Sequence, residues 1–287
     1  MRLFLGMCVL LTLPLWASTQ VTQIHDIDHG DHITDEALVF LTSGKVVKIN
    51  VNDTALYDEL AKAHVMKDWV EVETNNNREI LSVKKVPDVL PKVAPPTGGE
   101  KSIMTIDPLT GYNPSVASED MAKQMFKEQR IWSKEETQCF NRAHIWTYEW
   151  RVKHNFYAKK IWIMFTRKFV RRYNFDWWFH VSPMINVAIN GEIHERTMDR
   201  KYSGGPLPPQ KWAKIFLRGS GAQCPYVKSY RDHANYPENG WCYFQKSPMY
   251  YYQPIDLEYL DKFGTVRNSW SEQDVRTAYA EAFSVYP

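Results

Sequence analysis

Three short stretches of this 287-residue chain carry side chains that can perform nucleophilic chemistry together. They contain Cys139, His180 and Asp199. A thiolate attacks a carboxamide carbon, and a neighbouring imidazole takes the thiol proton and later returns it to the leaving amine. A carboxylate then fixes the imidazole tautomer and stabilises the imidazolium. The residue types and their order predict a triad in which Cys139 is the nucleophile, His180 the general acid and base, and Asp199 the group that orients the imidazole.

The nucleophile is predicted to stand at the start of a helix over 139–154. The unpaired N–H groups at a helix N-terminus favour an anion, so this place lowers a thiol pKa. A capping-box pattern at 133–136 leaves a second arrangement open, in which the helix begins earlier and Cys139 lies in its second turn. Asn141 and Arg142 follow on the same helix and are tentative substrate contacts.

His180 is predicted to lie in a strand that an aromatic segment precedes. Trp177 and Trp178 point to opposite faces if this segment is extended, and both are tentative contacts to the substrate. Asn190-Gly191 is a strong signal for a tight hairpin. The hairpin predicts that a second strand leads the chain back to Asp199, next to His180.

The sequence around the three residues resembles the bacterial secreted protein-glutaminases, also called protein-glutamine deamidases. That family carries its nucleophile on a Cys-x-x-Arg-Ala-His helix, and this chain reads Cys-Phe-Asn-Arg-Ala-His at 139–144. The family's base lies on a His-Val strand, matched by Phe-His-Val at 179–181. Its orienting Asp precedes a turn and a Trp-containing helix, matched from Met-Asp-Arg-Lys-Tyr-Ser-Gly-Gly-Pro at 198–206. The resemblance covers about residues 110–245.

The resemblance implies an α+β fold. Its core is transglutaminase- or papain-like, with the nucleophile helix packed on an antiparallel sheet, and a small α/β module precedes it. It also implies hydrolytic deamidation of glutamine in protein or peptide substrates, through a Cys139 thioester and without a metal or organic cofactor. A cysteine peptidase or a transglutaminase would use the same triad, and a non-catalytic envelope-binding module would keep the fold alone. These alternatives stay open.

The cysteine count supports a free thiol at position 139. Residues 1–18 are predicted to be a signal peptide, because Arg2 precedes an apolar run over 3–15 and small residues follow. A membrane anchor is the alternative, but the run is short for a span. Removal of Cys8 with the signal leaves three cysteines in an oxidising compartment. Cys224 and Cys242 flank a loop-rich segment and are predicted to form a disulfide, which leaves Cys139 free.

Export predicts a secreted or periplasmic protein that is not stably inserted in a membrane. The mature chain is predicted to divide into a module over 19–86, a proline-rich linker over 87–100 and a catalytic domain over 101–287. Residues 36–85 of the module are predicted to form a small βαβ-type unit with a helix at about 55–66. The first residues of the module, 19–34, are rich in His and Asp. They are predicted to be disordered, with a metal site as the alternative.

The order of module, linker and catalytic domain is typical of a pro-enzyme, and the resemblance implies the same plan. Residues 19–100 are therefore predicted to inhibit the catalytic domain until proteolysis. A permanent adaptor or folding domain is an equal alternative.

Charge gives no whole-chain reason for nucleic-acid binding, since the net charge is +2. One segment is locally basic: residues 151–172 contain eight Lys and Arg and no Asp or Glu. The segment matches no known nucleic-acid-binding motif. It is predicted to form a solvated rim, and no nucleic-acid partner is predicted.

Overall fold

The computed structural model describes residues 17–30, 35–87, 109, 111–130, 138–217, 219–230, 240–263, 275, 278–279 and 281–282. Nearly all of the predicted signal peptide over 1–18 and of the predicted linker over 87–100 lies outside these residues. Among the described residues, no helix combines the length and the apolar character that a membrane crossing requires.

The chain divides into two compact units, the first formed by residues 1–41 and 46–91, the second by residues 42–45 and 92–287. The described part of the first unit contains one helix and six strands: β1 (Ser18–Thr22), β2 (Ile24–Asp28), β3 (Glu36–Leu41), β4 (Val46–Asn50), α1 (Thr54–Met66), β5 (Val70–Thr74) and β6 (Ile80–Lys85). The strands form two sheets of three, in the orders β1-β5-β6 and β2-β3-β4. All their neighbouring strands are antiparallel.

The helix of the first unit forms where its capping residue predicts it. The Asp53 carboxylate accepts a hydrogen bond from the Leu56 N–H at 3.2 Å, which satisfies one free donor of the first turn. The helix ends at Lys67, which adopts the left-handed conformation. Leu60 and Ala63 on its inner face are buried in the core that the strands of this unit share. The prediction of a helix at about 55–66 is confirmed.

Two predictions for the first unit are wrong. The βαβ-type arrangement would need parallel neighbouring strands, whereas both sheets are antiparallel. The predicted disorder over 19–34 is overturned by β1 and β2, because pairing with β5 and β3 satisfies their backbone groups and Ile24 is buried in the core. No group of three His, Cys, Asp or Glu among the described residues can hold a metal ion. Asp31 and His32 lie outside those residues.

The second unit contains five helices and five strands among its described elements: β7 (Val116–Ser118), α2 (Glu119–Glu128), α3 (Cys139–His154), β8 (Lys159–Phe165), α4 (Arg167–Tyr173), β9 (Phe179–Ile189), β10 (Glu192–Thr197), α5 (Pro209–Ala213), β11 (Cys242–Pro248) and α6 (Pro254–Phe263). Its sheet has the antiparallel order β10-β9-β8-β11, and β7 adds to β9 in parallel. Helix α3 packs against β9. The result is a mixed α/β unit in which one helix lies on the strand at the centre of the sheet.

The hairpin between β9 and β10 forms at the predicted turn. Asn190 and Gly191 both have positive φ, 52° and 83°, which is the type I′ geometry that matches the twist of antiparallel strands. The register that follows pairs Thr197 with Met184, so β10 ends opposite the middle of β9. Asp199 comes two residues later and is thereby returned to the strand that carries His180.

The basic segment over 151–172 is only in part a solvated rim. Arg167, Lys168, Arg171 and Arg172 on α4 are exposed. Lys159 and Lys160 are buried, because β8 is covered along its whole length. The Lys159 ammonium donates to Asn186 Oδ1 at 2.7 Å, and the Lys160 ammonium lies 2.8 Å from His144 Nδ1 and donates to the Tyr251 carbonyl. For these two lysines the prediction of a rim is wrong.

Cys224 and Cys242 form a disulfide, as the cysteine count predicts. Both are fully buried, and the bridge connects a loop to the first residue of β11. Among the cysteines in the described part of the chain, Cys139 is the free one.

Replacement of both bridging cysteines, Cys224→Ala with Cys242→Ala, is expected to lower the free energy of unfolding by about 3 kcal/mol. The reason is that the unfolded chain regains the entropy of an open loop. Urea denaturation of the double variant and of the parent measures the difference. Equal midpoints with equal slopes would show that the bridge contributes nothing to stability.

Candidate active site

Helix α3 begins at Cys139. Gln138 precedes it with extended backbone, φ −63° and ψ 145°, and the first helical hydrogen bond runs from the Arg142 N–H to the Gln138 carbonyl at 3.2 Å. The extended Gln138 marks the start of this helix, and the predicted capping box over 133–136 lies outside the described residues. Cys139 is therefore the first helical residue, where the helix dipole favours a negative charge on the sulfur.

The structure brings the three chemical side chains together. His180 Nε2 lies 2.7 Å from Asp199 Oδ2, and both side chains are almost fully buried, at 2% and 1% exposure. The Cys139 sulfur hydrogen-bonds the imidazole of His180 and the backbone of Val181. Because Nε2 faces the carboxylate, Nδ1 is the ring nitrogen left for the sulfur. The imidazole thus bridges the thiol at the start of α3 and the carboxylate that follows β10.

The electrostatics of the cluster favour a charged thiolate and imidazolium. Burial of the imidazole lowers its pKa, but the charge and hydrogen bond of Asp199, together with the hydrogen bond of Cys139, raise the pKa of His180 to about 9. Desolvation raises the pKa of the Cys139 thiol. The hydrogen bond and charge of His180, with the charge of Arg142, outweigh it and hold the pKa of Cys139 below its ordinary value.

Four aromatic rings enclose the imidazole. Trp177 stacks on it with 5.7 Å between ring centroids, and Tyr202 meets it edge to face at 5.1 Å. Trp212 and Phe216 lie at 5.6 Å and 4.8 Å. This shell keeps water from the imidazole and strengthens its pairing with Asp199.

Three of those rings are missing from the sequence predictions as parts of the site. Tyr202 lies three residues after Asp199, and Trp212 and Phe216 are four residues apart, a spacing that places both on one side of a helical segment. This spacing was the available signal, but it does not distinguish a catalytic wall from ordinary packing. Trp212 also donates its indole N–H to Asp199 Oδ2 at 2.9 Å.

Of the four tentative substrate contacts, Trp177 and Arg142 lie beside the sulfur and the imidazole. Trp177 is half-buried, whereas Arg142 is buried at 5% exposure and its side chain hydrogen-bonds the Tyr202 hydroxyl. Trp178 is 1% exposed and packs edge to face on Phe179.

Asn141 is also buried, at 1% exposure. Its amide donates to Glu281 at 2.8 Å and accepts a hydrogen bond from Tyr252. The structure thus places Trp178 and Asn141 in the interior, where their surfaces are engaged by the protein.

The turn over 42–45, which groups with the second unit, lies against the segment that leads into β9. The Trp178 N–H donates to the Gly44 carbonyl at 3.0 Å, and Lys45 forms a β-bridge with Trp177. Gly44 has a φ of 91°, and a Cβ at this position would stand 3.0 Å from Cε1 of Phe179. Only glycine fits here without displacing the ring.

Comparison with known proteins supports the sequence resemblance. Residues 115–216 match the family model described as glutaminase. The crystal structure of a pro-protein-glutaminase superposes with a TM-score of 0.53 over 93% of this chain and 92% of that chain, at 12% identity. The chain resembles the protein-glutaminases. The matched segment runs from β7 past α5 and contains Cys139, His180 and Asp199.

Two further protein-glutaminase structures are more distant in shape. A mutant of pro-protein-glutaminase superposes with a TM-score of 0.48 at 13% identity, over 81% of this chain and 83% of that one. The NMR structure of protein-glutaminase from Chryseobacterium proteolyticum gives 0.36 at 12% identity, over 61% and 91%. No curated protein sequence matches the chain significantly. What this chain shares with the first pro-protein-glutaminase structure, at 12% identity, is the fold.

The substitution Asp199→Asn is expected to weaken the thiolate. Loss of the carboxylate charge removes the main cause that raises the His180 pKa. The imidazolium then forms less readily and the pKa of Cys139 rises. Alkylation of Cys139 by iodoacetamide should slow at neutral pH, and its pH profile should move to higher pH.

Asp120→Asn is the matched control for this measurement, because the Asp120 side chain is 97% exposed on α2 and lies outside the cluster. Its alkylation profile should overlay that of the parent. If the alkylation profile of Asp199→Asn also overlays that of the parent, Asp199 does not control the pKa of Cys139.

Proposed function

We propose that this protein hydrolyses the side-chain amide of protein-bound glutamine to glutamate and releases ammonia. The observation that carries the proposal is the hydrogen-bonded series from Cys139 through His180 to Asp199, with the sulfur at the first residue of a helix. The family match over 115–216 supports glutamine as the substrate class. The packing of α3 on β9 supports a transglutaminase- or papain-like core.

The reaction begins with the thiolate of Cys139. The sulfur attacks the carboxamide carbon, and the tetrahedral intermediate places negative charge on the former carbonyl oxygen. The backbone N–H of Cys139, free of a helical partner at the first position of α3, is in place to stabilise that oxygen. A donor of this kind is typically worth about 3 kcal/mol in the transition state.

The imidazolium of His180 then protonates the departing nitrogen, and ammonia leaves behind a thioester between Cys139 and the glutamyl side chain. The neutral imidazole next takes a proton from a water molecule, which attacks the thioester carbon. Collapse of this second intermediate releases glutamate and returns the thiolate. Asp199 holds Nε2 throughout, so Nδ1 stays directed at the reacting atoms.

The substrate contact is assigned to Trp177, which borders the sulfur and the imidazole. Trp177 offers an apolar face to the methylene groups of a glutamine side chain. Arg142 is buried at 5% exposure and places a positive charge near the sulfur, so its proposed role is to stabilise the thiolate. A protein substrate is favoured, because the solved structure that the chain resembles in fold is a pro-protein-glutaminase.

We further propose that the protein is exported with the signal over 1–18 and is made as an inactive precursor. Residues 19–100 would restrain the catalytic domain until they are cut away. The turn over 42–45 supports this proposal, since its hydrogen bond and β-bridge hold Trp177 and Trp178, directly before His180. A deamidase restrained during export cannot modify proteins of the cell that makes it.

Substitution of the nucleophile, Cys139→Ala, is expected to abolish ammonia release from a glutamine-rich protein such as casein. The side chain is small and half-buried, so the free energy of unfolding should change by no more than about 2 kcal/mol. Ammonia is measured after the precursor has been activated by limited proteolysis. Retained turnover in the variant would refute the role assigned to Cys139.

The products of the same assay separate deamidation from the other reactions of a thiolate. Glutamine converted to glutamate in an intact, uncrosslinked chain supports the proposal. Cleaved peptide bonds indicate a peptidase, and products of high mass indicate a transglutaminase. An activated protein with an intact thiol and no reaction of any kind indicates a non-catalytic module.

The substitution Gly44→Val is expected to activate the full-length precursor without proteolysis. A side chain at this position meets the ring of Phe179 and is strained at positive φ, so the turn should leave β9. Gly111→Val is the matched control, because Gly111 also has positive φ, 77°, but a Cβ there meets nothing within 4 Å. The ammonia assay is run on protein that gel electrophoresis shows to be uncut. Equal and low activity in both variants would contradict inhibition by this turn.

A further inference from the structure

One oxygen of Asp199 accepts hydrogen bonds from two donors. His180 Nε2 lies 2.7 Å from Oδ2 and the indole Nε1 of Trp212 lies 2.9 Å from the same atom. All three side chains are almost completely removed from solvent, with Trp212 at 0% exposure. A carboxylate in such surroundings depends on its hydrogen-bond donors for both its charge and its orientation.

The position of Trp212 is itself fixed by hydrogen bonds of helix α5. The backbone N–H of Trp212 donates to the Pro208 carbonyl at 3.0 Å, and this bond closes the first turn of the helix. Two residues earlier, the Gln210 amide holds the backbone of Cys224 from both sides, donating to its carbonyl at 2.6 Å and accepting from its N–H at 3.1 Å. Cys224 is bridged to Cys242 on β11. The indole is thus connected to the sheet through a disulfide.

The indole of Trp212 also packs on the imidazole of His180. Its centroid lies 5.6 Å from that of His180, 5.4 Å from Phe216 and 6.2 Å from Phe244. Trp212 therefore contacts both the imidazole of His180 and the carboxylate of Asp199, and it is positioned to fix the orientation of one relative to the other.

We propose that Trp212 is a positioning residue of the reaction, which holds the Asp199 carboxylate in the orientation that directs His180 toward Cys139. The inference rests on the proposed function for its kinetic consequence. Its structural part concerns the thiolate and stands without any substrate. Without the indole N–H the carboxylate can rotate about its side-chain torsion, and the imidazole follows it away from the sulfur.

The substitution Trp212→Phe removes the donor and keeps an aromatic ring in the site. In the activated enzyme kcat should fall by about ten- to a hundredfold, the scale that misplacement of a reacting group produces. KM should stay nearly constant, because Trp212 is not proposed to contact the substrate. The alkylation profile of Cys139 should move to higher pH, as expected for Asp199→Asn but by less.

A matched control is available in Trp162→Phe. Trp162 is equally buried, and its indole N–H donates to Ser247 Oγ at 2.8 Å instead of to a residue of the triad. Both variants lose one indole donor of similar geometry. A residue that merely supports the fold would lower thermal stability in either case and would leave the alkylation profile in place. Only Trp212→Phe should shift the profile.

A double variant tests whether Trp212 acts through Asp199. If it does, Trp212→Phe combined with Asp199→Asn should alkylate no more slowly than Asp199→Asn alone, so that the two effects are not additive. Additive effects, or an unchanged profile in Trp212→Phe, would overturn the proposal. Because iodoacetamide replaces the substrate, this result does not depend on glutamine deamidation.

Gln210→Met supplies the test if Trp212→Phe fails to fold. The methionine keeps the length of the side chain and loses both hydrogen bonds to Cys224, while Trp212 itself stays intact. The profile of Cys139 should move in the same direction by a smaller amount, since the helix that carries the indole is less firmly held. A folded Gln210→Met protein with the parent profile would show that the indole needs no support from the bridged loop, and the proposed connection would fail.

Discussion

The pairing of a buried imidazole with a buried carboxylate is the constraint on which the second unit depends. Removal of either charge from water is costly, and only close mutual contact with further hydrogen bonds offsets that cost. His180 and Asp199 meet this condition at 2.7 Å, and Trp212 supplies the second donor to the carboxylate. The pair then passes its effect to the sulfur, because a stable imidazolium next to Cys139 stabilises the thiolate. The elements of the second unit that carry these residues must therefore keep them within hydrogen-bond distance.

The sulfur, the imidazole and the carboxylate are each placed by a different element of secondary structure. The sulfur is placed by the first residue of a helix, the imidazole by the strand on which that helix packs, and the carboxylate by a hairpin that brings the chain back. The aromatic shell around His180 is built from Trp212 on α5 and from rings in the segments before β9, after β10 and after α5. Convergence of separate elements on one imidazole allows each to be held by its own packing, so the site does not rely on a single loop.

Sequence patterns predict those parts of the site that depend on local rules. The start of α3, the hairpin at Asn190-Gly191 and the Cys224–Cys242 bridge follow from dipole, turn and cysteine arguments, and all three are found in the structure. Patterns fail where long-range packing decides. The residues Asn141 and Trp178 have types suited to substrate binding, but the packing of the folded unit buries both. Their partners Glu281 and Phe179 come from a remote part of the chain and from a neighbouring position whose direction depends on the sheet.

The basic segment over 151–172 is a second case in which long-range packing overrides the sequence pattern. Its charges predict exposure, yet Lys160 lies at 0% exposure between β8 and α3. Its ammonium contacts both His144 on α3 and the carbonyl of Tyr251, which follows β11. Lys160 therefore connects α3, the sheet and the segment after β11. A shift of α3 along the sheet would break these directional contacts, whereas apolar contacts depend less on direction. Helix α3 is consequently fixed in register along the sheet, and any adjustment around Cys139 must come from the segments beside the helix rather than from the helix that bears the sulfur.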